Sequence, residues 1–286
     1  MSTPQPEIPQ ILPPLIPQEV LKPDLYTGDV AAAISQALRE PSPLAVMRYS
    51  GTSALMAEML GMRGFMSPKL WRHYRLDHQD FATMRRIVDA IERVDILGIH
   101  ISGPRAIQVQ ASVLGALRAW RIEPTDFDLA DVYLMYYLII KGYLWNWAES
   151  RILIINENAS EIAPLLRAGK YSPMVAQYTV NAPPMNVVGS VDLAEYEIDA
   201  AIERAATHNV DLVLIGAGAR KFPIGTELAQ RTGAVVLDMG HGLNALVEGV
   251  KPGNRREDEP GPTEIWGVSR PHEFHVAEKA AQEELV

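Results

Sequence analysis

The chain has 286 residues, 48% of them hydrophobic, and a formal charge of −9 at pH 7. That length holds one large domain or two modest ones with a sizeable core. The acidic balance argues against a general nucleic-acid binder, which normally presents a basic face. With no cysteine, disulfides, thiolate metal sites and cysteine nucleophiles are excluded, a composition that fits the cytoplasm.

The N-terminal stretch MSTPQPEIPQILPPLIPQEV does not read as a signal peptide. It lacks a basic start, and prolines interrupt its apolar part. The most apolar segment, residues 133–140, is shorter than the ~20 residues that span a membrane. Residues 1–24 form a proline-rich arm of extended backbone. One reading is a plain leader. The other is an arm that packs on a neighbouring subunit, because Ile8, Ile11, Leu12, Leu15 and Ile16 are too apolar for a tether.

Val30, Ile34, Ala37 and Leu38 follow Asp29 at helical spacing, which predicts a helix to Arg39, ended by Pro41 and Pro43. Residues 44–47 read as a strand and residues 48–53 (RYSGTS) as a polar turn before a second helix at 54–60. Such a turn offers backbone N–H groups and hydroxyls to a phosphate, or is an ordinary connection. Residues 61–79 are irregular. Met84, Ile87, Val88 and Ile91 mark an amphipathic helix with Arg85, Arg86, Asp89, Glu92 and Arg93 outside. Residues 96–101 read as a strand and 104–120 as a helix, with His100 at the turn between them. The segment 132–147 is rich in aromatics, with Tyr133, Tyr137, Ile140 and Leu144 on one helical stripe. Core packing explains it; an aromatic wall for a base or sugar ring is the sharper reading.

From Arg151 the pattern is cleaner. Residues 151–155 read as a strand, and Asn156, Glu157, Asn158 and Ser160 as a turn that caps a helix running to Arg167, with Pro164 in its opening turn. Residues 175–180 read as a strand. Asp192 with Glu195 resembles a capping box for a helix at 193–206, whose Ile198, Ala201, Ile202 and Ala205 face the core. Residues 210–215 form an apolar run that stops at Gly216 and Gly218. A helix follows, with Pro223 near its start and Gly233 past its end. The next apolar run, 234–237, stops at Asp238, before Gly240 and His241. The expected fold class is therefore α/β, a Rossmann-like, mainly parallel sheet with flanking helices. It occupies residues 25–250, and residues 251–286 form a charged linker and short C-terminal segment.

In open α/β sheets ligands collect beyond the carboxyl ends of the strands. The candidate ligand-binding residues are Arg48, Ser50, Gly51, Thr52, Ser53, Asn156, Glu157, Asn158, Gly216 and Gly218. Asp238 and His241 are the candidate catalytic pair. Arg48 suits bidentate pairing with phosphate. Gly216 and Gly218 admit close backbone approach. Asp238 takes a sugar hydroxyl or orients His241, whose ordinary pKa suits proton transfer near neutral pH. The alternative is that Asp238 and His241 only satisfy a tight turn. GAGAR falls short of the dinucleotide fingerprint, and no Walker loop, H-E-x-x-H helix or G-x-S-x-G elbow occurs.

Together, RYSGTS after a strand (48–53), RILIINENA (151–159), NVDLVLIGAGA (209–219) and VVLDMGH (235–241) resemble the GT-D fold glycosyltransferase domain of bacterial chains. The resemblance covers roughly residues 40 to 248. It implies transfer of a sugar from a nucleotide-sugar donor to an unknown acceptor, with a divalent cation held by a D-x-E pair. In that register Gly51 stands for the Asp and Ser53 for the Glu. Neither supplies a carboxylate, whereas a hard cation needs oxygen ligands, typically one or two carboxylates. No metal ligand is therefore assigned. Three readings stay open: metal-free transfer, a cation held by other carboxylates such as Asp238 or Glu157, and a non-catalytic scaffold or assembly protein that keeps the fold. A homo-oligomer built through the arm is the expected assembly.

Residues 8–16 are expected to bury against a second subunit. Deleting the arm should lower the mass measured by light scattering; unchanged mass with unchanged melting temperature makes it only a leader.

Overall fold

A computed structural model describes residues 24–49, 81–99, 117–118, 120–123, 126–173, 175, 181–193, 198–240 and 242–247. Its strands are β1 (Leu44–Arg48), β2 (Ile96–Ile99), β3 (Asp128–Asp131), β4 (Ile152–Asn156), β5 (Val187–Asp192), β6 (Leu212–Gly216) and β7 (Val235–Asp238). They form one sheet in the order β3-β2-β1-β7-β6-β4-β5. Every neighbouring pair is parallel. Strands β2, β4, β6 and β7 are buried at every residue, as expected of parallel strands covered on both faces.

Alternate residues of each strand enter two separate cores. Met47, Val213, Ile215 and Val236 pack beneath α2 (Phe81–Ile91), α5 (Ile198–Thr207) and α6 (Lys221–Thr232). Val46, Leu212, Leu214 and Leu237 pack beneath α1 (Thr27–Arg39), α3 (Leu134–Ile140), a 3-10 turn (Tyr143–Trp147), α4 (Ala159–Arg167) and α7 (Gly242–Leu246). Each buried Leu, Ile or Phe side chain contributes about 1.5–3 kcal/mol by removal from water. The Trp147 indole N–H donates to Ser35 Oγ at 2.9 Å, tying the 3-10 turn to α1.

This layering positions the edge that matters. The connection leaving β4 runs outward through α4 to β5, while the one leaving β6 runs the other way through α6 to β7. The two helices lie on opposite faces. The chain thus diverges from the neighbouring carboxyl ends at Asn156 and Gly216, which are register partners. Such a reversal opens a crevice at the strand ends.

Several sequence expectations change. Edge strand β3 was not anticipated, since DLAD carries only two apolar residues; β2 recruits it through pairs such as Leu97 with Leu129. The next described strand after α4 is β5; of the expected strand at 175–180, Val175 lies in a helical turn, and residues 176–180 fall outside the described residues. Asp192 ends β5, and its Oδ1 accepts the Ser160 N–H at 2.8 Å, so it serves the start of α4. Glu195 lies outside the described residues. Pro164 is the sixth residue of α4, not in its first turn. Its ring removes one i→i−4 bond, which the packed face of Ile162, Ala163 and Leu166 outweighs. The aromatic stripe breaks at Gly142, whose φ of 78° ends the helical run, so Leu144 belongs to the 3-10 turn. The expected helices at 54–60 and 104–120 lie largely outside the described residues, as do His100 and the segments 1–23 and 248–286.

At the N-terminal side, Asp24 and Leu25 both donate their N–H groups to Leu129 O, at 2.9 and 3.0 Å. Asp24 Oδ2 accepts the Leu129 N–H at 3.0 Å. Asp24 is therefore bonded to the edge strand, and the arm deletion is properly drawn at residue 23.

Helix α6 lies close on the sheet because of Gly225. A Cβ there would stand 2.0 Å from Met47 Cε and 3.2 Å from Val236 Cγ1. Gly225→Val is expected to lower the unfolding free energy by ~1–3 kcal/mol through overpacking. Adding Met47→Ala should restore part of the loss. Urea melts of the single and double variants test this, and strictly additive losses would refute the contact.

Candidate functional site

Arg48 ends β1 and Asp238 ends the adjacent β7, so a cation and a carboxylate meet at the carboxyl edge. Asp238 is fully buried and Arg48 is 6% exposed. Arg48 donates its backbone N–H to Asp238 Oδ2 at 3.1 Å. Its Nε donates to Asp238 O at 3.1 Å and to Oδ2 at 3.2 Å, and its Nη2 to Oδ1 at 3.3 Å. Nη1 reaches Val132 O at 3.3 Å and contacts the Met135 sulfur. The guanidinium that the sequence offered to a phosphate is thus turned onto Asp238.

A third member comes from α6. Lys221, 3% exposed, donates from Nζ to Asp238 Oδ2 at 2.5 Å. It also stands 5.3 Å from the centre of the Phe222 ring. Two buried cations therefore share one buried carboxylate. Burial alone would raise the Asp238 pKa, but the charges of Arg48 and Lys221 outweigh it and hold the carboxyl below its ordinary value. Lys221 moves the other way. Burial, with repulsion from Arg48, overrides the pull of Asp238 and lowers its pKa to about 8. Tyr136 lies within the field of Arg48 and Asp238, and burial pushes its hydroxyl well above the ordinary value.

The turn that follows depends on this cluster. Gly240 has φ 48°, and a Cβ there would fall 2.0 Å from Arg48 Nη2. Only a glycine lets the guanidinium lie against the backbone. Gly240 N and Met239 N both donate to Ile215 O, which locks the end of β7 to β6. Next along the edge, Asn156 is buried. Its Nδ2 donates to Gly216 O at 3.3 Å, and its Oδ1 accepts the Asn158 N–H at 3.0 Å. A Cβ on Gly216 would meet Asn156 Nδ2 at 2.6 Å and Gly240 O at 2.7 Å. The room this glycine makes is filled by protein. Gly218 opens the 3-10 turn (Gly218–Arg220) that leads into α6. Glu157 and Asn158 are half-buried beside Asn156.

The structure therefore brings Arg48, Asn156, Gly216, Gly218 and Asp238 to one edge, with Glu157 and Asn158 adjoining. Asp238, expected to touch a sugar hydroxyl or orient His241, has both oxygens engaged by Arg48 and Lys221. Ser50, Gly51, Thr52, Ser53 and His241 lie outside the described residues. Lys221 and Gly240 were not singled out from sequence. A lysine opening a helix reads as solvated, and only the tertiary fold turns it onto Asp238.

A family model described as a GT-D fold-like domain matches residues 25–246. The chain belongs to the GT-D-like family. The resemblance carried by residues 48–53, 151–159, 209–219 and 235–241 thus holds at the level of fold and family. The chain is also similar to a solved structure described as a selenomethionine-substituted domain of unknown function 1792. The identity is 12% and the TM-score 0.48, covering 82% of this chain and 86% of that one. No curated protein matches the chain.

The cation implied by the family does not fit the residues present. Gly51 and Ser53 carry no carboxylate. Asp238 already spends both oxygens on two cationic side chains, which would repel a divalent ion. Among the described residues no three His, Asp or Glu side chains converge as metal ligands. No helix among them is long and apolar enough to cross a membrane.

Folding lowers the Lys221 pKa from 10.5 to about 8. Between those values the unfolded chain binds more protons, so stability contributed through this group rises with pH across that window. Wild type should gain stability relative to Lys221→Met from pH 8 to pH 10 in denaturant melts. A difference that stays flat would show the ammonium to be fully compensated.

Proposed function

We propose that this chain is a glycosyltransferase-like protein that binds a nucleotide-sugar donor across the carboxyl edge of its sheet. The observation that supports this most is the cationic cluster Arg48–Asp238–Lys221, set at the strand ends near the point where the connections from β4 and β6 diverge. An anionic donor at this edge would meet the positive charge of Arg48 and Lys221. The turn at Ser50, Gly51, Thr52 and Ser53 and the pair Gly216 and Gly218 take the diphosphate. Asn156, Glu157 and Asn158 take the sugar or ribose hydroxyls. His241 moves the proton of the acceptor hydroxyl. Asp238 acts from behind as a positioning residue, holding Arg48 and Lys221 in place. The working compartment in this reading is the cytoplasm, and the arm joins subunits.

A second reading has its own support. The missing carboxylates at Gly51 and Ser53, with Asp238 enclosed, suit a scaffold or assembly protein that retains the fold without transfer. Fold membership alone does not decide between the two.

A thermal-shift screen of uridine, guanosine and adenosine diphosphate sugars decides. One of them is expected to raise the melting temperature; a ligand at one hundred times its Kd adds about 2.7 kcal/mol. Asn156→Ala and His241→Ala, with the fold retained by circular dichroism, should each weaken that ligand about tenfold, the equivalent of about 1.4 kcal/mol. Wild-type affinity in both variants would remove the site, and no response to any donor favours the scaffold.

A further inference from the structure

Among the described residues, Arg48 and Lys221 bring two positive charges to one carboxylate, Asp238. All three side chains are at least nine-tenths buried. Asp238 is the ion-pair partner of both cations. Its Oδ2 receives Lys221 Nζ together with Arg48 N and Nε, and its Oδ1 receives Arg48 Nη2. The carboxylate has no remaining capacity to neutralise the second cation. A surplus charge out of water is costly unless a counter-ion accompanies it. It persists where its cost is recovered in another state of the molecule, here one with an anion bound.

Arg48 is followed in sequence by the stretch to which the resemblance assigns the family's cation, and Gly51 and Ser53 of that stretch lack the carboxylates. A divalent cation in such a site neutralises a diphosphate. Here the protein carries positive charge at the same strand end, fixed by the sheet and by α6. Lys221 is the member that creates the surplus, because Arg48 and Asp238 alone form a neutral pair.

We propose that Lys221, held with Arg48 on Asp238, is a built-in replacement for the divalent cation, so that this chain binds the diphosphate of its donor without metal. This rests on the donor-binding reading above and deepens it. Lys221 acts through its charge at the strand end; Arg48 and Asp238 hold it there.

The test is calorimetric titration of the full chain with the diphosphates of uridine, guanosine and adenosine, in EDTA and in manganese. One diphosphate is expected to bind, with affinities in the two conditions agreeing within about twofold. Lys221→Met should weaken it at least about tenfold. At pH 7.5 that variant should melt no lower than wild type, because it leaves Arg48 and Asp238 as a balanced pair. A purely structural lysine would give the reverse pattern: lower melting and unchanged affinity. Binding that requires manganese overturns the replacement while leaving the donor site intact. Undiminished affinity in Lys221→Met also overturns it. Failure of all three diphosphates in both conditions overturns the donor-binding reading, and the replacement with it.

Discussion

A single carboxylate in the dark interior of the sheet edge governs the rest of this molecule. Asp238 closes β7, and through it β1 and α6 are bonded to one point. Removing one partner of a buried ion pair typically costs about 3–5 kcal/mol, because the other charge is then stranded. Here two cations would be stranded at once. The cluster also dictates its neighbours. Gly240 must leave room for the guanidinium, and the Gly240 carbonyl in turn limits what Gly216 can carry. The local conformation at the ends of three strands is thus set by electrostatics, while the layers beneath are set by aliphatic packing.

The strand order gives that cluster its setting. Helices α4 and α6 leave neighbouring strands on opposite faces, so the two crossovers diverge from the edge at Asn156 and Gly216. The polar residues of the edge are held by side-chain to backbone bonds, as in Asn156 to Gly216 O and to the Asn158 N–H. Such bonds fix orientation before any ligand arrives, and preorganised groups bind at lower entropic cost.

The legible parts of this fold are those whose physics is local. Strands β1, β2, β4, β6 and β7 are continuous apolar runs because both faces are covered, and the sequence shows them as such. The edge strands are not. In β5 buried and half-buried residues alternate, with a glycine and a serine among them, and β3 is four residues with an Asp at each end. Their existence depends on the neighbour that pairs with them. The same division runs through the site. Arg48, Asn156 and Asp238 are legible as polar residues at strand ends. Their partners are not, because Arg48 and Asp238 are 190 positions apart and Lys221 meets Asp238 only after a crossover helix. Sequence read Arg48, Asn156 and Asp238 at strand ends, where the sheet has them, whereas the inward turn of Arg48 is a tertiary fact.

The N-terminal junction has a consequence for how copies of this protein can associate. Strand β3 is the outermost strand on its side, and an unpaired outer strand invites another chain to continue the sheet. Asp24 and Leu25 already occupy the Leu129 carbonyl, and the Asp24 carboxylate occupies the Leu129 amide. The middle of that edge is spoken for by the chain's own backbone. Growth of the sheet by a second copy pairing against β3 is therefore disfavoured at Leu129.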